Sequence, residues 1–501
     1  MKRVQCATFL DLQAKSVGVE ASLTKGLPSF SIVGMASQSI SESKERVKSA
    51  LLNNGFHFPP KRVTINLSPS DCKKEGSHFD LAVALLISLH DKTLDFGEYY
   101  VFGELGLDGS VKANAILFAI ILSLANQGGI KKALVPSEAL AQLSKIPDVE
   151  FIGIAHLREA IDFFTQGVQK IATQHTDIDA KRLRIARRAY YYQNDYPEDF
   201  FAVKGQEVAK RAALIAAAGM HNLLLEGSPG CGKSMIAKRL RSILPPLSLS
   251  ELLDIAKLDV LDAKEPTFQA LRPFRSPHHS STKASIFGGG SGGAKIGEVG
   301  LAHNGILFFD ELPHFSKSVL EALREPLEDR KIAISRVNTK VEYKTDFLFI
   351  AAMNPCPCGN LLHTHKECRC SELEIKRYKN RLSEPLLERI DIYVQMQNTG
   401  ANDKPSVSSQ ELHKRVIEAF IRQKERGQEK LNGRLSDEEV ATFCILGDDE
   451  NAILERAIDS YALSQRAIGK VKRLARTVAD IEASERIEKA HLLEALSYRR
   501  R

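Results

Sequence analysis

Over the first 165 residues, apolar and polar positions alternate in the short runs SVGVEASL, SFSIVG, RVTINLS, KKALVP and EFIGIA, the period of two that a half-buried strand requires. Between them, FDLAVALLISLH and AILFAIILSLANQ are almost wholly apolar and long enough to be buried helices. Asp108-Gly109, between VFGELGL and SVKA, marks a hairpin turn. This pattern predicts a compact mixed α/β domain over residues 1–165. The periodicity is lost over 166–200, where KRLRIARR (181–188) runs into YYYQNDYPEDF, so this stretch reads as a linker. Its basic run is either a solvated helix face or a phosphate contact. Apolar strands return over 201–397. After the polar break NTGANDKPSVSSQ the chain is helical in pattern to its end, predicting a small all-α domain over 398–501.

Five hundred and one residues exceed a single core, so two to four domains are expected. The 43% hydrophobic and 26% charged content is that of a globular chain and excludes wholesale disorder. The longest apolar stretch, residues 115–125, falls short of the roughly 20 residues of a membrane span. No signal-peptide core follows the N-terminus, so a cytoplasmic location with no membrane partner is expected. A net charge of +7 permits a polyanionic partner without requiring one.

Most of the chemistry is concentrated between residues 201 and 397. Gly227-Ser228-Pro229-Gly230-Cys231-Gly232-Lys233-Ser234 fits GxxxxGK[ST], with the strand LLLE before it and the helical MIAKRLRSIL after it. Glycines let backbone N–H groups turn toward phosphates, Lys233 reaches the β and γ phosphates of ATP, and Ser234 supplies a magnesium ligand. The strand ILFFDE ends in Asp310, placed to orient magnesium's water shell, and Glu311, placed to activate the attacking water. DFLFIAAMNP ends in Asn354, which either positions that water or simply forms a turn. Arg389, before the strand IDIYVQM, either reaches a neighbour's nucleotide or makes a surface ion pair with Glu388 or Asp391. Arg466, at a helix start, is a further candidate for γ-phosphate contact, with Arg473 second to it.

Four of the eight cysteines crowd together as Cys356-Pro-Cys358 and Cys368-Arg-Cys370, enough thiolates to close a tetrahedral structural Zn2+ site. His363 and His365 lie between the pairs and can substitute for a ligand. A reduced, metal-free quartet and a redox-active one are the alternatives. Cys6, Cys72, Cys231 and Cys444 are isolated.

The order of these motifs resembles the Mg-chelatase-like group of AAA+ ATPases, and in particular its ComM/YifB-type family, almost end to end. The resemblance is carried by AVKGQEVAKRAALIAAAGMHNLLLEGSPGCGKS, RPFRSPHHSSTKASIFGGG, GEVGLAHNGILFFDELPHF, NPCPCGN with ECRC, and LSEPLLERID. It implies an α/β/α P-loop core with a helical lid, and a homohexameric ring with nucleotide between subunits. Lys233 would be the Walker A lysine, Asp310 and Glu311 the Walker B pair, Asn354 sensor 1, Arg389 the arginine finger and Arg466 sensor 2. Gly205, Gln206 and Met235 join residues 227–234 as the nucleotide-binding set, with Ser234 and Asp310 on Mg2+. The implied activity is an ATP-driven motor on single-stranded, forked or branched DNA that promotes branch migration during natural transformation. IFGGGSGGAKIGE, bearing Lys295, reads as a glycine-rich cationic finger, and RKIAISRVNTKVEYK as a hairpin with Arg336 and Lys340 near its turn. Six copies of each would line a DNA-facing pore, or the hairpin is an ordinary solvated one.

The N-terminal VTINLSPSDCKKEGSHFDLAVALLIS resembles the Lon-protease-like fold of the ribosomal S5 type. The matching place for a serine nucleophile holds His78, with Ser77 one position early, and the stretch Asn114 to Gln127 contains no lysine to act as base. A serine without a base is a poor nucleophile, so a non-proteolytic module is expected, with His78 packed or solvated. The rival functions are a magnesium-chelatase-like chaperone ATPase, whose I subunit is not expected to carry this N-terminal domain or the cysteine pairs, and a Lon-like protease.

Overall fold

The computed structural model describes residues 2–166, 177–289, 295–335, 340–363, 366–398, 400 and 403–499. They form two compact units, Met1–Asp179 with Ala256–Phe268, and Ala180–Ile255 with Gln269–Arg501.

The first unit is built on strands β1 (Lys2–Leu10), β2 (Gln13–Thr24), β3 (Ser29–Val33), β4 (Arg62–Ser68), β5 (Tyr99–Val101), the short pair β6 (Glu104–Leu105) and β7 (Val111–Lys112), β8 (Lys132–Pro136) and β9 (Glu150–Ile154). Seven of these form one mixed sheet in the order β3-β4-β2-β1-β5-β8-β9. The helices Asp80–Ser88 and Leu117–Asn126 pack on β1 and β2 and are buried almost all round, which is why their sequences lack a polar face. The hairpin expected at Asp108-Gly109 is the β6–β7 pair, with Gly109 at φ +94°. The helix Gln38–Asn53 escapes the sequence pattern because only a thin stripe, including Ile40, Val47, Ala50 and Leu51, is buried.

His78 is packed. Its Nε2 donates to Ala7 O at 2.7 Å, its Nδ1 accepts from Asn114 Nδ2 at 2.8 Å, and its ring stacks on Phe79 with centroids 4.7 Å apart. Burial pulls its pKa down to about 4. Ser77 donates its hydroxyl hydrogen to Glu104.

The second unit opens with β10 (Lys181–Ile185) and β11 (Arg188–Tyr192), followed by β12 (Leu223–Gly227), β13 (Leu247–Ser248), β14 (Phe274–Arg275), β15 (Gly288–Gly289), β16 (Lys295–Ile296), β17 (Ile306–Phe309), β18 (Lys331–Ser335), β19 (Lys340–Lys344), β20 (Leu348–Met353) and β21 (Ile392–Met396). Its central sheet is parallel throughout, in the order β14-β17-β20-β12-β21. β12, β17 and β20 are buried along their whole length, as their unbroken apolar runs require.

Two expectations are corrected here. Residues 181–192, read as linker with a basic run that is either a solvated helix face or a phosphate contact, form an antiparallel hairpin joined to β13. Its cationic side chains alternate with Leu183 and Ile185, and Ile185 and Tyr190 pack on Phe420. The C-terminal helices, read as a separate small domain, share one hydrophobic core with the P-loop sheet: Leu223, Ile350, Val416, Leu474 and Leu492 belong to the same cluster. The helices Ser409–Glu425 and Gln465–Ile481 pack on Glu207–Gly219, so their apolar faces are covered from within the unit.

Because the folded-state pKa of His78 lies below its ordinary value, the unfolded chain takes up the proton first. The stabilisation from burying the neutral ring is complete above about pH 6.5 and is lost as pH falls toward 4. His78→Gln is expected to narrow the difference in unfolding free energy of the first unit between pH 7.5 and pH 5 by on the order of 1–2 kcal/mol, read from urea denaturation at the two pH values.

Candidate functional site

The site is assembled at the C-terminal ends of β12, β17 and β20, which are neighbours in the sheet. β12 runs into the loop 227–232, whose turns use left-handed backbone at Gly230 (φ +83°) and Gly232 (φ +97°). A Cβ on Gly227 would lie 2.7 Å from Cys231 Sγ, so the loop closes on itself only with glycine there. The helix Lys233–Leu240 follows directly and points its N-terminal N–H groups at the loop.

Lys233 is 9% exposed. Its Nζ donates to Gly227 O at 2.5 Å, Ser228 O at 3.0 Å and Asn354 Oδ1 at 3.2 Å. Burial lowers its pKa, and the nearby Cys231, Asp310 and Glu311 oppose that shift. Ser234 Oγ donates to Asp310 Oδ2 at 2.8 Å, joining two hard oxygen donors of the kind magnesium takes. Lys233, Ser234, Asp310 and Asn354 are thus brought together by direct hydrogen bonds. Gln206 Nε2 donates to Cys231 O at 3.2 Å and to Gln397 O, and the N–H of Gly205 (φ +59°) donates to Lys404 O at 3.3 Å. Met235 is 39% exposed on the following helix.

Glu311 adopts a left-handed backbone, φ +52°, a cost that fixes its side chain just past the strand end. Its carboxylate lies 3.2 Å from His314 Nδ1 and 3.7 Å from His279 Nδ1, and the two imidazole rings meet edge to face. Neither histidine was singled out from the sequence, although both sit in the stretches RPFRSPHHSS and ELPHF that carry the family resemblance.

Arg389 and Arg466 come together at a carboxylate the sequence did not suggest. Arg389 pairs with Glu328, not with Glu388 or Asp391, and its Nε also donates to Arg324 O at 3.2 Å. Arg466 pairs with the same Glu328 at 2.6 Å. Asp391 is engaged by Lys470 at 2.9 Å, and Arg473 by Asp437 at 2.9 Å.

The four clustered cysteines converge. Their sulfurs all lie within 4.8 Å of one another, with Cys356–Cys358 at 3.4 Å, Cys356–Cys368 at 3.6 Å and Cys358–Cys368 at 3.7 Å. These are far beyond a disulfide bond. They match the edge of about 3.8 Å that Zn–S bonds of ~2.3 Å impose on a tetrahedron, so the donor set fits zinc. Backbone N–H groups of Asn360 and Arg369 pull the Cys358 thiol down to about 6, whereas burial pushes the Cys356 thiol up and Cys370 is also raised, so without a metal the quartet does not ionise as a set. His363 is described and its Nδ1 accepts from Lys366 N at 3.1 Å, whereas His365 lies outside the described residues. The other predicted contacts, Arg336 and the side chains of Lys295 and Lys340, also lie outside them. The backbone hairpin β18–β19 expected around them is present, as is the short β15–β16 pair.

A five-stranded parallel sheet with a phosphate-type loop, a Ser–Asp pair and a strand-end Asn defines a P-loop nucleotide-binding class of protein. Three family models match the chain: "Magnesium chelatase, subunit ChlI" over 199–404, "Magnesium chelatase, subunit ChlI C-terminal" over 406–499, and "Subunit ChlI of Mg-chelatase" over 19–139. The last match corrects the expectation that the N-terminal region has no chelatase counterpart. The competence protein ComM of Haemophilus influenzae is 37% identical across 98% of this chain and 96% of its own length. The YifB proteins of Salmonella typhimurium and Escherichia coli are 39% and 38% identical, each across 99% of this chain and 96% of its own length. The chain belongs to the ComM/YifB family of Mg-chelatase-like AAA+ proteins.

Glu226, 2% exposed on β12, is held by Lys379 at 3.0 Å and by the hydroxyl of Tyr393. Lys379→Met leaves that carboxylate without its counter-charge and is expected to lower the stability of the second unit by about 1–3 kcal/mol in thermal or urea unfolding. Adding Glu226→Gln should restore most of the loss.

Proposed function

We propose that the protein is an ATP-hydrolysing, ring-forming DNA motor that moves branched DNA during recombination, including the integration of DNA taken up in natural transformation. The observation that carries this reading is the hydrogen-bonded set Lys233, Ser234, Asp310 and Asn354 in a chain similar to a competence protein over nearly its full length. The second reading is a chelatase-type chaperone ATPase, supported by the 23% identity over 38% of this chain to the magnesium-chelatase 67 kDa subunit of Heliobacterium mobile. The protease reading finds a Ser77 hydroxyl engaged by Glu104 and a buried His78.

In this reading Lys233 releases its carbonyl and amide partners to bind the β and γ phosphates of ATP, with the N–H groups of residues 230–234 around them. Ser234 and Asp310 would hold magnesium, which when bound would supply positive charge to offset that of the phosphates. Glu311 accepts a proton from the attacking water, with His279 and His314 setting its orientation, and Asn354 places that water on the γ-phosphorus. Arg389 and Arg466 face the nucleotide of the next protomer in a homohexamer, where a guanidinium offsets transition-state charge. Lys295, Arg336 and Lys340 line the pore and track the DNA backbone.

We read residues 1–165 as a Lon-like module without protease activity, 201–397 as the ATPase core, with the hairpin 181–192 joined to it, and 398–501 as a helical lid that shares the core's hydrophobic cluster. Cys356, Cys358, Cys368 and Cys370 hold one structural zinc.

Lys233→Ala is expected to abolish binding of a fluorescent ATP analogue. Glu311→Gln should bind nucleotide normally while turning over about 100-fold or more slowly in a phosphate-release assay. Wild-type hydrolysis should rise on adding a labelled four-way junction and be accompanied by branch movement on a gel. A hydrolysis rate indifferent to DNA would contradict the motor reading. Purified protein should carry one zinc per chain by plasma mass spectrometry, and Cys356→Ser with Cys368→Ser should carry none.

A further inference from the structure

The cysteine cluster lies against the phosphate loop. Asn354, which touches Lys233, stands two residues before Cys356. Gly359, in the turn that presents Cys358, donates its N–H to Cys356 O at 3.0 Å and has φ +80°. A Cβ built on Gly359 would lie 2.6 Å from Cδ and 2.7 Å from Cγ of Pro229, in the middle of the loop 227–232. The glycine is therefore required twice, by its backbone conformation and by the proline ring facing it.

On the other side of the cluster, Ser371 follows Cys370 at once and caps the helix Glu372–Lys379 with a reciprocal Ser371–Glu374 pair. The last residue of that helix, Lys379, holds Glu226, the residue before Gly227. Asn398 Nδ2, just past β21, donates to Leu362 O at 3.4 Å within the loop between the two cysteine pairs. The stretch from Asn354 through the four sulfurs to Lys379 thus meets the phosphate loop at Pro229, the strand entering it at Glu226 through Lys379, and Lys233 through Asn354.

We propose that metal bound by Cys356, Cys358, Cys368 and Cys370 sets the nucleotide affinity of this protein by holding the phosphate loop in its binding shape through the Gly359–Pro229 contact and the Lys379–Glu226 pair. Gly359, Pro229 and Lys379 are positioning residues in this scheme. The inference rests on the zinc and nucleotide readings given above. Its physical basis is pre-organisation. A loop that binds phosphate with its backbone N–H groups binds tightly only when those groups already converge, and apparent affinity falls by the fraction of time they do not. The four thiols, without a metal bridging them, leave residues 356–370 with no covalent cross-link, and the wall behind Pro229 is free to move away.

The test uses the full-length protein and reads metal content, secondary structure by circular dichroism, and the dissociation constant of a fluorescent ATP analogue in excess magnesium. Zinc is removed with a chelator that spares magnesium. The stripped, still folded protein should bind the analogue at least about tenfold more weakly, and zinc should restore the affinity. Gly359→Ala keeps all four sulfurs, so it carries the test even where stripping unfolds the chain. It should retain one zinc yet bind at least about tenfold more weakly. Adding Pro229→Ala removes the ring that the new methyl group meets but not the cost of alanine at φ +80°, so it should recover part of the affinity. Unchanged affinity in the stripped folded protein, or in zinc-loaded Gly359→Ala, overturns the proposal. Failure of the wild type to take up zinc ends the metal reading, and failure of the zinc-loaded wild type to bind the analogue ends the nucleotide reading.

Discussion

The buried ammonium of Lys233 is the constraint on which the second unit's P-loop site depends. A cation 9% exposed to solvent must be matched by oriented oxygens, and this one has carbonyls of Gly227 and Ser228 and the amide of Asn354. Satisfying it requires a left-handed glycine loop at the end of one strand and an asparagine at the end of the next. That in turn requires β12 and β20 to be parallel neighbours, with Glu226 level with Met353. β17 lies on the far side of β20 and delivers Asp310 to Ser234. The order of the central sheet and the placement of the polar groups are one arrangement.

The rest of the second unit keeps that arrangement rigid. The helix Glu207–Gly219, rich in alanine, lets two C-terminal helices approach closely, and the resulting core runs without interruption from Leu223 to Leu492. Glu328 gathers Arg389 and Arg466 from segments far apart in sequence, so both guanidiniums occupy one surface of the protomer. Arginines held by a carboxylate are already oriented when a stronger anion competes for them.

The loop residues 227–234, the strand-end acids and Asn354 were legible in the sequence because their roles follow from local backbone chemistry and from apolar runs with one possible reading. The cysteine quartet was legible for the same reason, since spacing alone brings its sulfurs within reach. Elements whose meaning depends on a distant partner were not. The hairpin β10–β11 is strongly cationic and declares itself only when Tyr190 meets Phe420. The C-terminal helices show an apolar face but not what covers it. The true partner of Arg389 is 61 positions away, where no periodicity points. His279 and His314 gain significance only once the fold brings them to Glu311.

In the proposed ring, ATP bound by one protomer would be cleaved with help from a guanidinium of its neighbour. Mixing two inactive proteins tests it most directly: Lys233→Ala, which lacks the phosphate lysine but keeps Arg389, and Arg389→Ala, which keeps the whole phosphate loop. The mixture is expected to recover ATP hydrolysis that neither protein shows alone, with a rate that depends on the mixing ratio. A mixture no more active than the sum of its parts, or an Arg389→Ala protein as fast as the wild type, would contradict it.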